Sequence, residues 1–207
     1  MATKNLEKEE MRKTQIVEAA YEVISSKGYN NFTIEDIANQ AGLSKGGVLH
    51  YFKTKEDILI HLLEQIYKAI EDTIKKRSEK YRTPEKKMKA IIIAYIITAK
   101  RDPAFYIVMV DFWAQVSINE RVKSINTKIF ERMSSEVKRV IDLGKDKGIF
   151  IDVNSSNAAY TITSMVVTIA AQWTLNKSLF NIDHIARASM AMVMAYLLKG
   201  KPAPNIK

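Results

Sequence analysis

The chain of 207 residues contains no cysteine. It can therefore form no disulfide framework, thiol nucleophile or cysteine-ligated metal site, and this composition is typical of a reducing compartment. Glycine and proline are also scarce, with seven and four residues, so few turns are available to separate short strands. These shortages argue against an all-β fold and favour long helices.

Long hydrophobic runs are missing as well. The longest, residues 90–99, is well short of the ~20 residues that a helix needs to span a bilayer. The first ten residues lack the hydrophobic core of a signal peptide. The sequence therefore predicts a cytoplasmic protein without a membrane partner.

Positive charge is in excess, with 32 basic residues against 23 acidic ones and a formal net charge of +9. Such an excess favours an anionic partner, and nucleic acid more than a membrane surface. Counted domain by domain, the excess is spread along the chain. The net charge alone therefore does not locate a binding surface, and local sequence patterns have to indicate where an anionic partner binds.

Hydrophobic residues recur at helical spacing through the first 80 residues. The first helix is expected to end at Gly28, which suits a left-handed cap. Thr33 opens a short second helix with a capping-box pattern, and Ser44 caps a short third helix. Thr54 repeats the cap pattern and starts a long amphipathic helix that runs to about residue 80.

The rest of the chain is predicted to be helical too. Pro84 and Pro103 stand at first helical positions and start helices, and a longer helix runs from Asn119 to Lys147. The last two helices, about Ser156–Leu175 and Asp183–Lys199, are apolar on nearly every face. Such helices must be covered on every face. We expect a homodimer with a four-helix interface made by these two helices; the alternative is burial within the monomer.

The sequence thus predicts an all-α protein with two domains. Residues 1–54 would form a three-helix helix-turn-helix domain that binds DNA, and residues 55–207 a larger helical domain for effector binding and dimerisation. In a helix-turn-helix the second short helix enters the major groove. Here its inward positions are Val48, Leu49 and Phe52.

The outward positions of this helix are Lys45, Gly46, Gly47, His50 and Tyr51. Lys53 and Lys55 follow directly, and no acidic residue lies between positions 44 and 55. This local cationic surface suits a phosphate backbone. Each glycine costs ~1 kcal/mol inside a helix, but it lets the helix backbone approach base edges closely. The alternative is an irregular loop before Val48.

Three runs carry a family resemblance: Thr33-Ile34-Glu35-Asp36-Ile37-Ala38, Ala41-Gly42-Leu43-Ser44-Lys45-Gly46 and Tyr51-Phe52-x-x-Lys55-Glu56. Together they resemble the DNA-binding signature of the TetR/AcrR family of bacterial transcriptional regulators, over about residues 10–60. The resemblance implies an all-helical homodimer that binds a palindromic operator, usually as a repressor, and releases it when a small molecule binds the C-terminal domain. The stretch from Asp111 to Gln115 resembles the BetI-like subgroup, from which no ligand is carried over.

The resemblance also implies residue roles. Contacts to the phosphate backbone fall on Thr33, Ser44, Lys45, His50, Tyr51 and Lys55, and contacts to bases on Gly46 and Gly47. Lysines would neutralise phosphates, and the capping residues would expose helix N-terminal amides to phosphate oxygens. Leu49 stands where the family commonly has tyrosine, so the resemblance does not carry over the phosphate or base contact of that phenol.

Large or pliable apolar side chains in the C-terminal region are candidates for an effector site. They are Tyr95, Met109, Phe112, Trp113, Met165, Ile169 and Trp173, and core packing is their alternative role. Such a lining predicts an apolar or amphipathic effector. A cation held by Trp113 or Trp173 with Asp111 is a second option, and Asp111 could instead pair with Lys100 or Arg101. The helix that begins at Thr54 would carry the response to the DNA-binding helices.

An enzyme is the competing class, but the phosphate-loop, dinucleotide, zinc-protease and nucleophile-elbow motifs are all absent from the sequence. The three histidines, His50, His61 and His184, lie on separate predicted helices. We therefore expect no catalytic residue, no metal and no cofactor. A helical protein–protein adaptor without DNA binding also fits the helices, but it leaves the lysines between positions 44 and 55 unexplained.

Overall fold

The computed structural model describes residues 2–198, with side chains from residue 6 onward. Over this range the chain forms nine α-helices and no strand, with one isolated antiparallel bridge between Phe150 and Leu198. The helices are α1 Ala2–Lys27, α2 Ile34–Ala41, α3 Lys45–Tyr51, α4 Lys55–Glu79, α5 Pro84–Arg101, α6 Pro103–Val116, α7 Glu120–Asp146, α8 Ser155–Leu175 and α9 Ile182–Leu197. The predicted all-α fold is confirmed. The predicted last residue of the final helix, Lys199, lies outside the described residues.

The chain forms two compact units. Unit 1 consists of the residues up to 67 together with 107–127, and unit 2 consists of 68–106 together with the residues from 128 onward. The helices α4, α6 and α7 each contribute to both units. The predicted boundary between residues 54 and 55 concerns function, and it stays a prediction. None of the helices among the described residues is both long and apolar enough to cross a membrane.

The core of unit 1 holds the short helices in place. Helix α1 packs on α2, and α2 packs on α3. Gly42, with a φ of 64°, makes the left-handed turn between α2 and α3, which a residue with a Cβ adopts only with strain. The fully buried side chains of these elements are Ile16, Val17, Ala20, Ile24, Phe32, Ile37, Ala38 and Val48.

In unit 2, α5 packs against α8 and α9, which also contact each other. Helix α8 buries the face that carries Ala158, Ile162, Val166 and Ala170. The outward faces of α8 and α9 are not covered by the described residues of the chain. Exposure reaches 40% at Tyr160, 43% at Tyr196 and 65% at Met192. The alternative of burial within the monomer therefore fails for these faces.

The turn that follows α7 packs against Gly144, a residue without a side chain. The backbone N–H groups of Ile149 and Phe150 both donate to the carbonyl of Gly144, at 2.9 and 3.0 Å. This turn lays the Phe150 ring directly on the backbone of Gly144, where a Cβ would overlap the ring. Phe150 is 2% exposed, so its ring has little room to move.

We therefore expect Gly144→Ala to destabilise the fold by about 1–3 kcal/mol, because overpacking of a filled core forces side chains or backbone to shift. The free energy of unfolding from denaturant titration measures the effect. Gly46→Ala is the matched control, since a Cβ there meets no atom nearer than 4.0 Å. Equal stability of the wild type and Gly144→Ala would contradict this packing.

Candidate nucleic-acid interface

Helix α2 is fixed at its start by a capping box. The Asp36 backbone N–H donates to Thr33 Oγ1 at 3.1 Å, and the Thr33 N–H donates to Asp36 Oδ2 at 2.8 Å. The Lys27 ammonium lies 2.6 Å from the same carboxylate. Lys27 and the Thr33 hydrogen bonds lower the pKa of Asp36 to about 2. The prediction of a capping box from Thr33 to Asp36 is confirmed.

Helix α3 follows a tight connection. The Leu43 N–H donates back to the Ala38 carbonyl at 2.9 Å, and Ser44 Oγ accepts from the Gly47 N–H at 3.0 Å. Because Ser44 caps the helix, both glycines lie inside the first turn of α3. The alternative of an irregular loop before Val48 is therefore wrong.

The inward face of α3 is narrower than predicted. Val48 is fully buried and Phe52 is 5% exposed, whereas Leu49 is half-buried. Full burial of Leu49 was expected from the spacing. Leu49 follows the fully buried Val48 by one residue, about 100° around the helix, so it lies at the border of the buried face.

The outward face of α3 has little side-chain bulk. Lys45, Gly46 and His50 are exposed, and Gly47 and Tyr51 are half-exposed. A Cβ at Gly46 would meet only Ser44 Oγ at 4.0 Å, and one at Gly47 the same atom at 3.3 Å. Packing within the protein therefore does not require glycine at position 46. The outward face of α3 at this position is therefore open to the close approach of another molecule.

The cations near α3 differ in their availability. Lys45 Nζ lies 3.8 Å from an exposed Glu35 carboxylate, and such surface pairs are weak. Lys53 Nζ donates to the carbonyls of Leu49 and His50 at the end of α3. Lys55 Nζ lies 4.2 Å from the centroid of the Phe32 ring. Lys45 is thus the most available cation of the three, and sequence reasoning missed the local roles of the other two.

Residues of α6 and α7 also belong to unit 1. Asp111 Oδ2 accepts a hydrogen bond from the Tyr29 backbone N–H at 2.7 Å. The Arg121 guanidinium pairs with the carboxylate of Asp57 in the first turn of α4. Burial raises the pKa of Tyr29 to about 12, and the Glu56 carboxylate near its hydroxyl adds to this.

Among the described residues Asp111 forms neither of the two ion pairs considered for it, with Lys100 or with Arg101, and its role as a counter-ion for an effector stays a prediction. The Tyr29 N–H follows the turn at Gly28 and needs an acceptor, because buried backbone donors are costly to leave unpaired. Asp111 supplies that acceptor. Lys100 instead pairs with Asp183 at 2.7 Å.

The seven predicted effector residues fall in both units. Met109, Phe112 and Trp113 belong to unit 1, where the first two are fully buried and Trp113 is 37% exposed. The other four belong to unit 2, where Tyr95 is buried and Met165, Ile169 and Trp173 are half-buried. The Tyr95 hydroxyl donates to the Met133 carbonyl at 3.3 Å. Their role in effector binding stays a prediction.

Unit 2 has a mostly apolar cavity of about 340 Å³ between α8 and α9, open to the outward faces of these helices. Met165 is the predicted effector residue that contributes to it. The full lining is Asn157, Ala158, Thr161, Ile162, Met165, Met192, Val193 and Tyr196.

Two family models match the chain. The model described as bacterial regulatory proteins, tetR family, matches residues 16–62. The model described as BetI-type transcriptional repressor, C-terminal, matches residues 84–198. The chain belongs to the tetR family. The two matches confirm both resemblances drawn from the sequence, and members of this family are transcriptional regulators rather than enzymes.

Individual proteins are similar to the chain over different lengths. The fatty acid metabolism regulator protein of Bacillus subtilis is 43% identical over 68 residues, which are 31% of this chain and 35% of that protein. A regulator from Saccharomonospora viridis, solved in complex with choline, has a TM-score of 0.80 at 19% identity, over 91% of this chain and 98% of its own. FadR from Bacillus subtilis, solved with stearoyl-CoA, has a TM-score of 0.77 at 22% identity, over 88% and 98%.

Proposed function

We propose that this tetR-family regulator is a cytoplasmic homodimeric repressor. It binds a palindromic operator through α3 and leaves it when a small apolar or amphipathic effector binds the C-terminal region. The exposed glycine face of α3 is the observation that carries the proposal, because packing within the protein does not account for Gly46.

The proposed contacts to DNA are those implied by the sequence. Gly46 and Gly47 face the bases, and Lys45, His50 and Tyr51 face the phosphates from the same helix. Thr33 is exposed at the start of α2 and Ser44 is exposed at the start of α3, where backbone amides favour phosphate oxygens. Lys55 Nζ lies over the Phe32 ring, and in this position its ammonium group would still attract a nearby phosphate.

Gly46→Ala separates DNA contact from stability. We expect it to stabilise the fold by up to about 1 kcal/mol, because alanine favours a helix. We also expect it to weaken binding to the promoter of its own gene by about tenfold or more, since a base contact is worth ~1–3 kcal/mol. Unfolding titration and a gel-shift titration measure the two effects.

Lys177→Ala, an exposed substitution in unit 2, is the control and should leave promoter binding unchanged. Unaltered affinity of Gly46→Ala for the promoter would show that α3 does not approach the bases.

The homodimer is proposed to form through the outward faces of α8 and α9. Met192 and Tyr196 are exposed large apolar residues beside the cavity between these helices. Ala188, Ala191 and Ala195 are exposed along the same helix and let another helix approach closely. A clustered apolar surface of this kind is typical of an interface, and a two-fold axis lets one face cover its own copy.

We expect Met192→Glu to convert the dimer into monomers at micromolar concentration, because a carboxylate would be buried without a partner. Light scattering after size-exclusion chromatography measures the mass. Ile118→Glu is the matched control, since Ile118 is 76% exposed at the turn between α6 and α7. A dimer that survives Met192→Glu would contradict this interface.

The response to effector would pass along helices shared by the two units. Helix α4 is the predicted lever, and α6 and α7 are also shared by the two units. There Asp111 holds the Tyr29 N–H and Arg121 pairs with Asp57. An effector that favours another arrangement of these helices must weaken operator binding, and the operator must weaken effector binding by the same factor.

Stearoyl-CoA and choline, the ligands of two structural neighbours, serve as probes of effector class. We expect the amphipathic probe to release the protein from its promoter and choline to have no effect, because the side chains predicted to line the effector site are mostly apolar and aromatic. Titration of each probe into the preformed complex measures release. Release by choline alone would reverse the assignment of effector class, and release by neither would contradict an effector of either type.

A further inference from the structure

A second cationic surface lies where α4 ends and α5 begins. Of the fifteen residues 75–89, eight are Lys or Arg and two are Glu. This short segment supplies most of the net positive charge of the chain. It belongs to unit 2, whereas the operator-binding helices proposed above belong to unit 1.

Six of the eight cations of this segment are exposed and form no ion pair with the described residues. Lys75, Lys76, Lys80, Arg82, Lys86 and Lys89 are all exposed, and we call these six residues the basic corner. Within the described part of the chain none of them lies within 4.0 Å of a carboxylate. Elsewhere many cations are paired, such as Lys100 with Asp183 and Arg132 with Glu71.

Local structure brings the two halves of the basic corner together. Lys87 Nζ on α5 donates to the Ser78 carbonyl in the last turn of α4 at 3.0 Å. The Tyr81 N–H donates to the same carbonyl at 3.2 Å, and Thr83 caps α5. The lysines of the last turns of α4 and of the first turns of α5 therefore lie at one end of this helix pair.

Among the described residues no acidic group forms an ion pair with the basic corner, and this includes Asp72, one helical turn before Lys75 and Lys76. Glu136 accepts hydrogen bonds from Ser78 and Arg139. Glu79 acts on Arg139, whose pKa is raised mainly by its hydrogen bond to Glu136 and further by the charge of Glu79. One carboxylate oxygen of Glu85 is buried. The corner thus keeps its positive charge, which destabilises the compact state through self-repulsion.

The distribution of the charges indicates an extended anion. None of the six residues lines the cavity between α8 and α9, and their charged groups are distributed over two helices and the turn that joins them. Cations spread over several helical turns suit a polymer of phosphates. Within residues 75–89, Tyr81 is the one large hydrophobic side chain that is exposed, which is little for a helix that inserts into a membrane interface.

We propose that the basic corner is a second DNA-binding surface, which contacts the phosphate backbone of duplex DNA without reading its sequence. Duplex DNA is the favoured occupant because the chain belongs to a family of DNA-binding regulators. The site is additional to the operator contacts of α3 and does not depend on them. It raises the local concentration of the protein on DNA, as phosphate contacts do in non-specific binding.

The test compares two variants of the full chain with the same change in net charge. The corner variant combines Lys75→Gln, Lys76→Gln, Lys86→Gln and Lys89→Gln. The control variant combines the same substitution at Lys123, Lys128, Lys147 and Lys177, which are exposed elsewhere. Circular dichroism and thermal melting establish that both variants fold. Fluorescence anisotropy with a labelled duplex of mixed sequence gives the affinity between about 50 and 200 mM salt.

We expect the corner variant to bind at least about tenfold more weakly at the lowest salt, and its slope of log affinity against log salt to be shallower by about 2–4. The control variant should change both quantities much less. Equal behaviour of the two variants would overturn the proposal. Corner-dependent binding to phosphatidylglycerol vesicles without corner-dependent binding to the duplex would also overturn it, in favour of a membrane surface.

A third protein carrying Lys45→Gln and His50→Ala separates this proposal from the operator site. The effect of the corner substitutions should persist in that background. Loss of specific promoter binding tests α3 alone, so failure of the proposed operator contacts leaves the corner result intact.

Discussion

The burial of Val48 and Phe52 beneath a helix of seven residues is the contact on which the DNA-binding function depends. A helix so short does not form alone in water, and two glycines make α3 weaker still. The cap from Ser44 to the Gly47 N–H and the turn at Gly42 fix where the helix starts and how it leaves α2. Core packing therefore provides the stability that the outward glycine face gives up.

Unit 1 also contains the polar contacts through which the proposed effector response would act. It holds α1 to α3 and the start of α4 together with parts of α6 and α7. Asp111 satisfies the Tyr29 N–H that follows the turn at Gly28, and Arg121 neutralises Asp57 at the start of α4. In the proposed mechanism, a change carried by α6 or α7 would therefore act on the residues that follow α1 and on the start of α4. The proposed mechanism therefore involves two polar contacts, that of Asp111 with the Tyr29 N–H and that of Arg121 with Asp57.

Much of the fold could be predicted from sequence because its signals are local. The caps at Thr33 and Ser44 follow from residue type and position. Helix propensity could not decide whether Gly46 and Gly47 lie in a loop or in the first turn of a helix, since these two conformations are close in energy. The role of Asp111 was out of reach, because its partner lies 82 residues away in the chain and no periodic pattern connects them.

The basic corner could not be predicted from the sequence for a different reason. Its lysines are visible in the sequence, but charges counted over long segments conceal them among the acids of the same segments. What distinguishes them is that no carboxylate of the described residues lies within 4.0 Å of their charged groups, which is a three-dimensional property. The partial burial of Leu49 could not be predicted either, because helical spacing indicates which face of a helix is buried and does not indicate how wide the buried area is.

Absence of cysteine permits the most direct test of the claim that α3 lies in the major groove twice per dimer. A single DNA-cleaving iron chelate attached through His50→Cys would sit on the outward face of α3. On the promoter fragment we predict two clusters of cuts separated by about one helical turn, ~34–36 Å. Uniform cutting, or the same pattern from a chelate attached through Lys177→Cys, would contradict the account.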